Sequence, residues 1–204
     1  MIVVPRLYAI VDASCFLRTE DLAAYAEELV AGGCRLLQYR NKNGNGRVML
    51  EQARELKRRV GGKVKLIMND RADLCLAAEF DGVHVGQDDL SPESVRRIVG
   101  PVRWLGVSTH NAGQLQEADR TSADYLAIGP VFSTSSKEKP DPVVGLEGVR
   151  QARSFTRKPL VAIGGITRAN AASVIAAGAD SVAVISDLIR EPQKSAEEFL
   201  RILR

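Results

Sequence analysis

Two cations and an amide alternate with other residues at the end of an apolar run. Gln38, Arg40 and Lys42 are each separated by a single residue. In an extended strand, residues two apart point to the same side, so these three face one way and Tyr39 and Asn41 the other. The pattern favours anion binding. A solvated strand end is the alternative for a lone arginine.

Carboxylates follow the next two apolar runs, as Asp70 and Asp89. Neighbouring parallel strands lie about 4.8 Å apart, so one carboxylate from each can share a hard cation. Mg²⁺ takes one or two protein carboxylates and completes its shell with phosphate oxygens and water. Opposite Arg40 and Lys42, the two aspartates indicate a phosphorylated substrate bridged by this metal. Helix N-capping is the alternative for either one.

Small hydroxyls and a lysine lie in a stretch of loop composition that ends near residue 145. Thr134, Ser136 and Lys137 suit a phosphate clamp that closes over a ligand. The stretch lacks the Gly-Lys-Ser/Thr end of a P-loop, and a plain hydrophilic loop is the alternative.

Two later apolar runs end in short turns that also suit a phosphate. Gly164 and Gly165 follow one run, and Ile185 and Ser186 follow the next. In many barrel enzymes these two turns bind phosphate through backbone N–H groups and a helix N-terminus. Glycine allows the backbone to approach the anion closely.

The two histidines of the chain are His84 and His110. His84 lies inside an apolar run, which favours a structural role. His110 follows another run, after Ser108, and suits either proton exchange or the start of a helix. Two distant histidines do not assemble a nucleophilic triad or a zinc site, which disfavours hydrolases and zinc enzymes.

Short apolar runs alternate along the chain with amphipathic stretches. Most runs are nearly continuous in Val, Ile, Leu and Ala, as expected of parallel strands buried on both faces. The predicted strands are 7–11, 35–39, 64–68, 82–85, 104–107, 125–128, 160–163 and 181–184.

Helical periodicity and capping residues occupy the stretches between the predicted strands. Ser91-Pro92 is typical of a helix start, and Thr167 is a second candidate cap. Gly32 and Gly178 lie where helices should stop. Eight units in 204 residues leave about 25 residues each, which predicts a single α/β domain over 1–204 folded as a (β/α)8 TIM barrel. An open doubly wound sheet is the alternative, but its glycine-rich first turn is missing.

The amino-acid composition restricts the kinds of partner and the location that we expect for the protein. Lysines and arginines number 28 against 25 acidic residues, and the resulting net charge of +3 gives no reason to expect nucleic acid. No apolar run approaches the roughly 18 residues of a membrane span. Cys15, Cys34 and Cys75 fit neither a disulfide framework nor a zinc site, so we expect a cytoplasmic protein. The sequence leaves open whether the protein forms a homodimer.

The motifs together resemble the thiamine phosphate synthase family over nearly the whole chain. They occur at 38–42 (QYRNK), 69–71 (NDR), 82–90 (GVHVGQDDL), 106–110 (GVSTH), 124–132 (DYLAIGPVF), 161–166 (VAIGGI) and 178–180 (GAD).

The resemblance implies a Mg²⁺-dependent transferase of thiamine biosynthesis. Such enzymes join hydroxymethylpyrimidine diphosphate to a thiazole phosphate and release pyrophosphate by a dissociative substitution. It implies that Asp70 and Asp89 hold the metal, and that Arg40, Lys42, Ser108 and Lys137 are catalytic. It places Gln38, Arg40, Lys42, Asn69, Ser108 and Lys137 on the diphosphate side, and Thr134, Ser136, Gly165, Ile185 and Ser186 near the thiazole phosphate.

Two departures from the family pattern stand out. Asn41 replaces an acidic residue, at a position expected to face away from the ligand. The segment 133–137 (STSSK) replaces a Pro-Thr-x-Thr-Lys pattern; it keeps the hydroxyls but lacks the proline.

Three other functions stay open. The related thiazole tautomerase uses the same barrel, and His110 suits its chemistry, but it has no diphosphate to hold. A non-catalytic phosphate sensor needs fewer charges than this chain provides. A barrel with a Schiff-base lysine or a cysteine nucleophile is disfavoured, since Lys63, Lys65 and Cys34 do not end strands.

Overall fold

The protein folds as a closed barrel of parallel strands surrounded by helices. The structure, a computed structural model, describes residues 2–134 and 141–204. Within these residues, eight strands pair in chain order and β8 pairs back with β1, which confirms the TIM barrel and excludes the open sheet. The strands are β1 (Leu7–Asp12), β2 (Leu36–Arg40), β3 (Lys65–Asn69), β4 (Gly82–Val85), β5 (Trp104–Thr109), β6 (Tyr125–Ile128), β7 (Leu160–Ile163) and β8 (Ser181–Val184).

Helices follow the strands and form the outer layer. The α-helices in the described ranges are α1 (Thr19–Ala31), α2 (Gly46–Val60), α3 (Ala72–Ala77), α4 (Pro92–Val99), α5 (Ala112–Asp119), α6 (Gly145–Phe155), α7 (Ala171–Ala176) and α8 (Pro192–Ile202). Two short 3₁₀ helices, Ala13–Cys15 and Ser186–Leu188, follow β1 and β8 at the carboxyl ends of those strands.

Helix starts follow from local side-chain chemistry. The Ser91 hydroxyl accepts the Ser94 backbone N–H at 3.3 Å ahead of Pro92, which confirms that predicted start. The prediction of Thr167 as a cap is wrong. The Asn170 side chain accepts the Thr167 backbone N–H at 2.8 Å, which folds the intervening residues into a turn, and α7 begins only at Ala171.

The core has two layers because every strand is buried on both faces. Inside the barrel, side chains such as Tyr8, Ile67 and Tyr125 pack together. Between strands and helices, side chains such as Leu22 and Phe199 form a second, larger apolar layer. This double burial explains why the strands are nearly continuous apolar runs.

The structure gives the state of the three cysteines and the lengths of the described helices. Cys15, Cys34 and Cys75 are all free thiols, the first exposed and the other two buried. Among residues 2–134 and 141–204, each helix is too short or too polar to cross a bilayer.

Candidate active site

A cavity of about 530 Å³ opens at the carboxyl ends of the barrel strands. This is the end at which TIM-barrel enzymes place their chemistry. Every predicted site residue that the structure describes lines it: Gln38, Arg40, Lys42, Asn69, Asp70, Asp89, Ser108, Thr134, Gly165, Ile185 and Ser186. Ser136 and Lys137 lie outside the described residues.

The alternation predicted along β2 holds in the structure. Gln38, Arg40 and Lys42 line the cavity. Tyr39 and Asn41 turn the other way, toward α2, where the Tyr39 hydroxyl and the Asn41 amide donate to Gln52 at 2.6 and 3.0 Å. The asparagine that departs from the family pattern is therefore turned away from the cavity, as expected.

Arg40 is held by a residue that the sequence argument missed. Asp12 ends β1 directly beside Arg40 in the strand register, and their side chains form an ion pair. Asp12 is buried, and its second oxygen accepts the Ser14 backbone N–H at 3.0 Å and the Ser14 hydroxyl at 2.7 Å. The available signal was its place at a strand end, which it shares with the predicted residues.

The two predicted metal ligands lie together at the ends of β3 and β4. Lys42 pairs with Asp70, and Asp89 accepts the Gly86 backbone N–H at 2.8 Å. Neither aspartate caps a helix, because α3 and α4 begin after Arg71 and Ser91. The helix-capping alternative is therefore not realised.

Burial and a neighbouring acid act together on Asp70. Its backbone has a φ of +61°, a left-handed conformation that aspartate tolerates better than most residues. Burial raises the pKa of the Asp70 carboxyl, the nearby Asp89 carboxyl raises it further, and Lys42 opposes the rise.

The donor set of these two carboxylates fits Mg²⁺. In the described residues no group of three or more His, Cys, Asp or Glu side chains converges on one point. Two carboxylates with the remaining positions filled by phosphate oxygens and water is the ligand set that Mg²⁺ commonly takes. Two acids this close also repel each other until a cation lies between them.

The cavity floor is polar although it is buried. His84, inside β4, hydrogen-bonds through its two ring nitrogens to Tyr125 and Ser108. Burial lowers the pKa of the His84 imidazole to about 4, so the ring is neutral near pH 7. The residue predicted to be structural therefore also lines the cavity.

His110 lies at the rim of the cavity, just before α5. Its Nδ1 is 2.7 Å from the Gly129 carbonyl oxygen and 3.5 Å from an Asp141 carboxylate oxygen. The ring lines the cavity, so the structure leaves open the proton-exchange role that the sequence suggested.

Backbone conformation and close packing explain why glycines follow β7, an explanation that the sequence analysis did not include. Gly164 and Gly165 have φ values of +101° and +64°, which glycine adopts readily. A Cβ on Gly165 would also lie 2.5 Å from the Ser133 carbonyl oxygen. These glycines therefore let the turn after β7 pack against the segment after β6, with Gly165 still lining the cavity.

Comparison with known proteins places the chain in a family. A family model described as thiamine monophosphate synthase matches residues 7–188. The chain belongs to the thiamine monophosphate synthase family. A relative from Koribacter versatilis named thiamine-phosphate synthase is 63% identical over 202 residues, covering 98% of this chain and 96% of the relative. This chain is accordingly an enzyme of the thiamine monophosphate synthase family.

Two further relatives agree. A thiamine-phosphate synthase from Chloroflexus aurantiacus is 46% identical and covers 90% of this chain and 85% of its own length. The structure of thiamine phosphate pyrophosphorylase from Pyrococcus furiosus superposes with a TM-score of 0.86 at 32% identity, covering 97% of this chain and 95% of that one. These relatives are therefore similar to this chain in sequence, and the solved structure is similar to it in fold as well.

Proposed function

We propose that this enzyme condenses 4-amino-5-hydroxymethyl-2-methylpyrimidine diphosphate with a thiazole phosphate, giving thiamine phosphate and pyrophosphate. The observation that carries the proposal is the set of charges on one wall of the cavity. Arg40 and Lys42 lie beside the carboxylates of Asp70 and Asp89 there. That set matches a diphosphate bound with a divalent cation, and exceeds what one phosphate ester needs.

The proposed reaction needs electrostatic stabilisation of the leaving diphosphate more than it needs a nucleophile from the protein. The C–O bond between the pyrimidine methylene and the diphosphate breaks, and the diphosphate leaves with the electron pair. The electron-rich aminopyrimidine ring stabilises the cation that remains. The thiazole nitrogen then donates its electron pair to that carbon and completes the thiazolium.

Arg40 and Lys42 stabilise the leaving group as its charge grows. Asp12 orients the Arg40 guanidinium and so presents it without reorganisation at the moment of bond breaking. Asp70 and Asp89 would hold Mg²⁺, which when bound neutralises part of the diphosphate charge. Asn69, also on this wall, adds an uncharged polar contact.

The opposite wall suits the second substrate. Gly165, Ile185 and Ser186 line the cavity after β7 and β8, where barrel enzymes commonly bind phosphate. Thr134 lines it from the segment after β6. Ser136 and Lys137 follow Thr134 in the sequence, and we assign Ser136 to the thiazole phosphate and Lys137 to the diphosphate.

Neither Lys65 nor Cys34 is placed for a Schiff-base or cysteine mechanism in this cavity. Lys65 starts β3 and pairs with Asp81 at 3.0 Å, at the barrel end opposite the cavity. Cys34 precedes β2 at that same end and is fully buried. Neither side chain lines the cavity.

The test is a condensation assay with the purified enzyme. Both phosphorylated substrates and Mg²⁺ are supplied, and product is oxidised to its fluorescent form for detection. We expect fluorescent product only when both substrates are present, with pyrophosphate released in step. Isomerisation of a thiazole phosphate without condensation would instead show the tautomerase, and binding without any turnover would show a sensor.

A further inference from the structure

Five side chains form one continuous hydrogen-bonded chain across the cavity floor. The Gln38 amide nitrogen donates to the Tyr8 hydroxyl at 2.8 Å, and the Tyr8 and Tyr125 hydroxyls are 3.0 Å apart. The Tyr125 hydroxyl lies 3.1 Å from His84 Nδ1, and His84 Nε2 lies 2.8 Å from the Ser108 hydroxyl. This hydrogen-bonded chain of side chains links five strands, and its first and last members, Gln38 and Ser108, line the cavity.

The three middle members each carry one proton. Tyr8 and Tyr125 are 1% and 0% exposed, and burial raises the pKa of both hydroxyls far above neutrality. His84 is 6% exposed, and its two ring nitrogens face the Tyr125 and Ser108 hydroxyls rather than a carboxylate, so the ring is neutral and holds its proton on one nitrogen only. Each proton needs an acceptor, since a buried hydroxyl left without one is costly.

These constraints set the direction of every bond in the chain. Because Gln38 donates to Tyr8, the Tyr8 proton goes to Tyr125, its other hydrogen-bonding neighbour. The Tyr125 proton must then go to His84 Nδ1. The His84 proton is consequently on Nε2 and is donated to the Ser108 oxygen, which leaves the Ser108 proton to point elsewhere.

We propose that Tyr8, Tyr125 and His84 are positioning residues that make Ser108 a hydrogen-bond donor toward the substrate and leave the Gln38 carbonyl oxygen as an acceptor. The identity of that substrate rests on the function proposed above. An aminopyrimidine presents ring nitrogens that accept and an amino group that donates, so it matches a donor and an acceptor placed at opposite ends of one chain.

The Tyr125–His84 contact in this hydrogen-bonded chain depends on the absence of a side chain at Gly106. A Cβ on Gly106 would lie 2.1 Å from Tyr125 Cζ and 2.4 Å from His84 Nδ1. The two rings therefore meet directly over the bare backbone of β5, with their centroids 5.5 Å apart. Any side chain at this position would displace the Tyr125–His84 hydrogen bond.

The tautomer of His84 tests the proposal without any substrate. Nitrogen NMR of ligand-free enzyme labelled at histidine distinguishes a protonated from an unprotonated ring nitrogen, and a His110→Gln variant assigns the two histidines. We expect His84 to carry its proton on Nε2 in the wild type. In Tyr125→Phe, which lacks the donor to Nδ1, we expect a mixture of tautomers. A wild-type His84 protonated on Nδ1 would reverse the chain and overturn the proposal.

Kinetics of single and double variants test the coupling. Tyr8→Phe and Tyr125→Phe should each raise the KM for the pyrimidine diphosphate by about five- to tenfold, the scale of one disordered hydrogen bond. The KM for the thiazole phosphate should not change. The double variant should lose no more than the worse single variant, because both break the same chain.

Tyr39→Phe is the matched control. Tyr39 is another buried tyrosine, but its hydroxyl donates to Gln52 on the helix side of β2. Equal kinetic loss in this control, or additive losses in the double variant, would overturn the proposal in favour of general destabilisation.

The two claims fail separately. An active enzyme with His84 protonated on Nδ1 would contradict the hydrogen-bond chain and leave the proposed function standing. A wild type with the expected tautomer that makes no thiamine phosphate would contradict the proposed function, while the direction of the chain would be confirmed.

Discussion

Asp12 and Arg40 end two neighbouring strands at the same level of the barrel and form an ion pair at the cavity wall. Asp12 is 5% exposed and is itself fixed by the Ser14 backbone and hydroxyl. The guanidinium is thereby oriented before any substrate arrives. Preorganised charge of this kind is what stabilises a leaving group without a cost of rearrangement.

Asp12→Asn should lower kcat/KM for the pyrimidine diphosphate. The change removes a charged hydrogen bond of about 2 kcal/mol, which corresponds to roughly 30-fold if all of it is expressed in the transition state. Steady-state kinetics measure the loss.

Asp81→Asn is the matched control for that variant. Asp81 also pairs with a cation, Lys65, and accepts a backbone N–H, from Leu66 at 2.9 Å, but at the opposite end of the barrel. It should lower thermal stability and leave kcat/KM near the wild-type value. Equal kinetic losses in both variants would contradict the orienting role of Asp12.

Asp70→Asn and Asp89→Asn should each raise the Mg²⁺ concentration needed for half-maximal activity. Removal of groups around a bound metal typically weakens its affinity by 10- to 100-fold, so we expect at least a tenfold rise. Activity titrated with Mg²⁺ gives the value. Asp73→Asn, which alters the exposed carboxylate paired with Arg71, is the control. An unchanged titration in both site variants would remove the metal assignment.

His110→Ala should keep a substantial fraction of synthase activity. The dissociative path needs little acid–base help, and the His110 ring is engaged by the Gly129 carbonyl oxygen. The comparison is kcat of the variant against wild type, with circular dichroism to verify the fold. Complete loss of activity in a folded variant would favour tautomerase chemistry.

The buried His84 should make the enzyme less stable in acid. Its pKa falls from 6.5 to about 4 on folding, so the unfolded chain binds the proton more readily than the folded one. The contribution of neutral His84 is complete above pH 6.5 and is lost as pH falls toward 4, by about 3 kcal/mol in total.

Urea unfolding at several pH values measures this slope. His84→Gln should flatten it. An identical pH dependence in wild type and His84→Gln would show that His84 is not the group responsible.

The barrel was predictable because its signals are local. The apolar runs at 82–85, 125–128, 160–163 and 181–184 carry the predicted bounds, and the other strands differ by one or two residues. Parallel strands buried on both faces leave this continuous pattern in any sequence. The cavity followed from the same reasoning, since polar residues at the strand ends must meet at one end of the barrel.

What could not be predicted depends on contacts between distant residues. The Asp12–Arg40 pair and the His84–Tyr125 hydrogen bond join residues 28 and 41 positions apart, and they exist only through the register of the closed barrel. The need for Gly106 likewise arises from two rings that pack over it. The cytoplasmic location and the homodimer stay predictions.

Phosphorus NMR of the full reaction tests the central claim most directly. The enzyme is mixed with pyrimidine diphosphate, thiazole phosphate and Mg²⁺, and all phosphorus species are followed in one sample. The account predicts that pyrophosphate and thiamine phosphate appear in equal amounts while both substrates disappear, and that Arg40→Ala slows both products alike. Loss or isomerisation of the thiazole phosphate with the pyrimidine diphosphate left intact would contradict it.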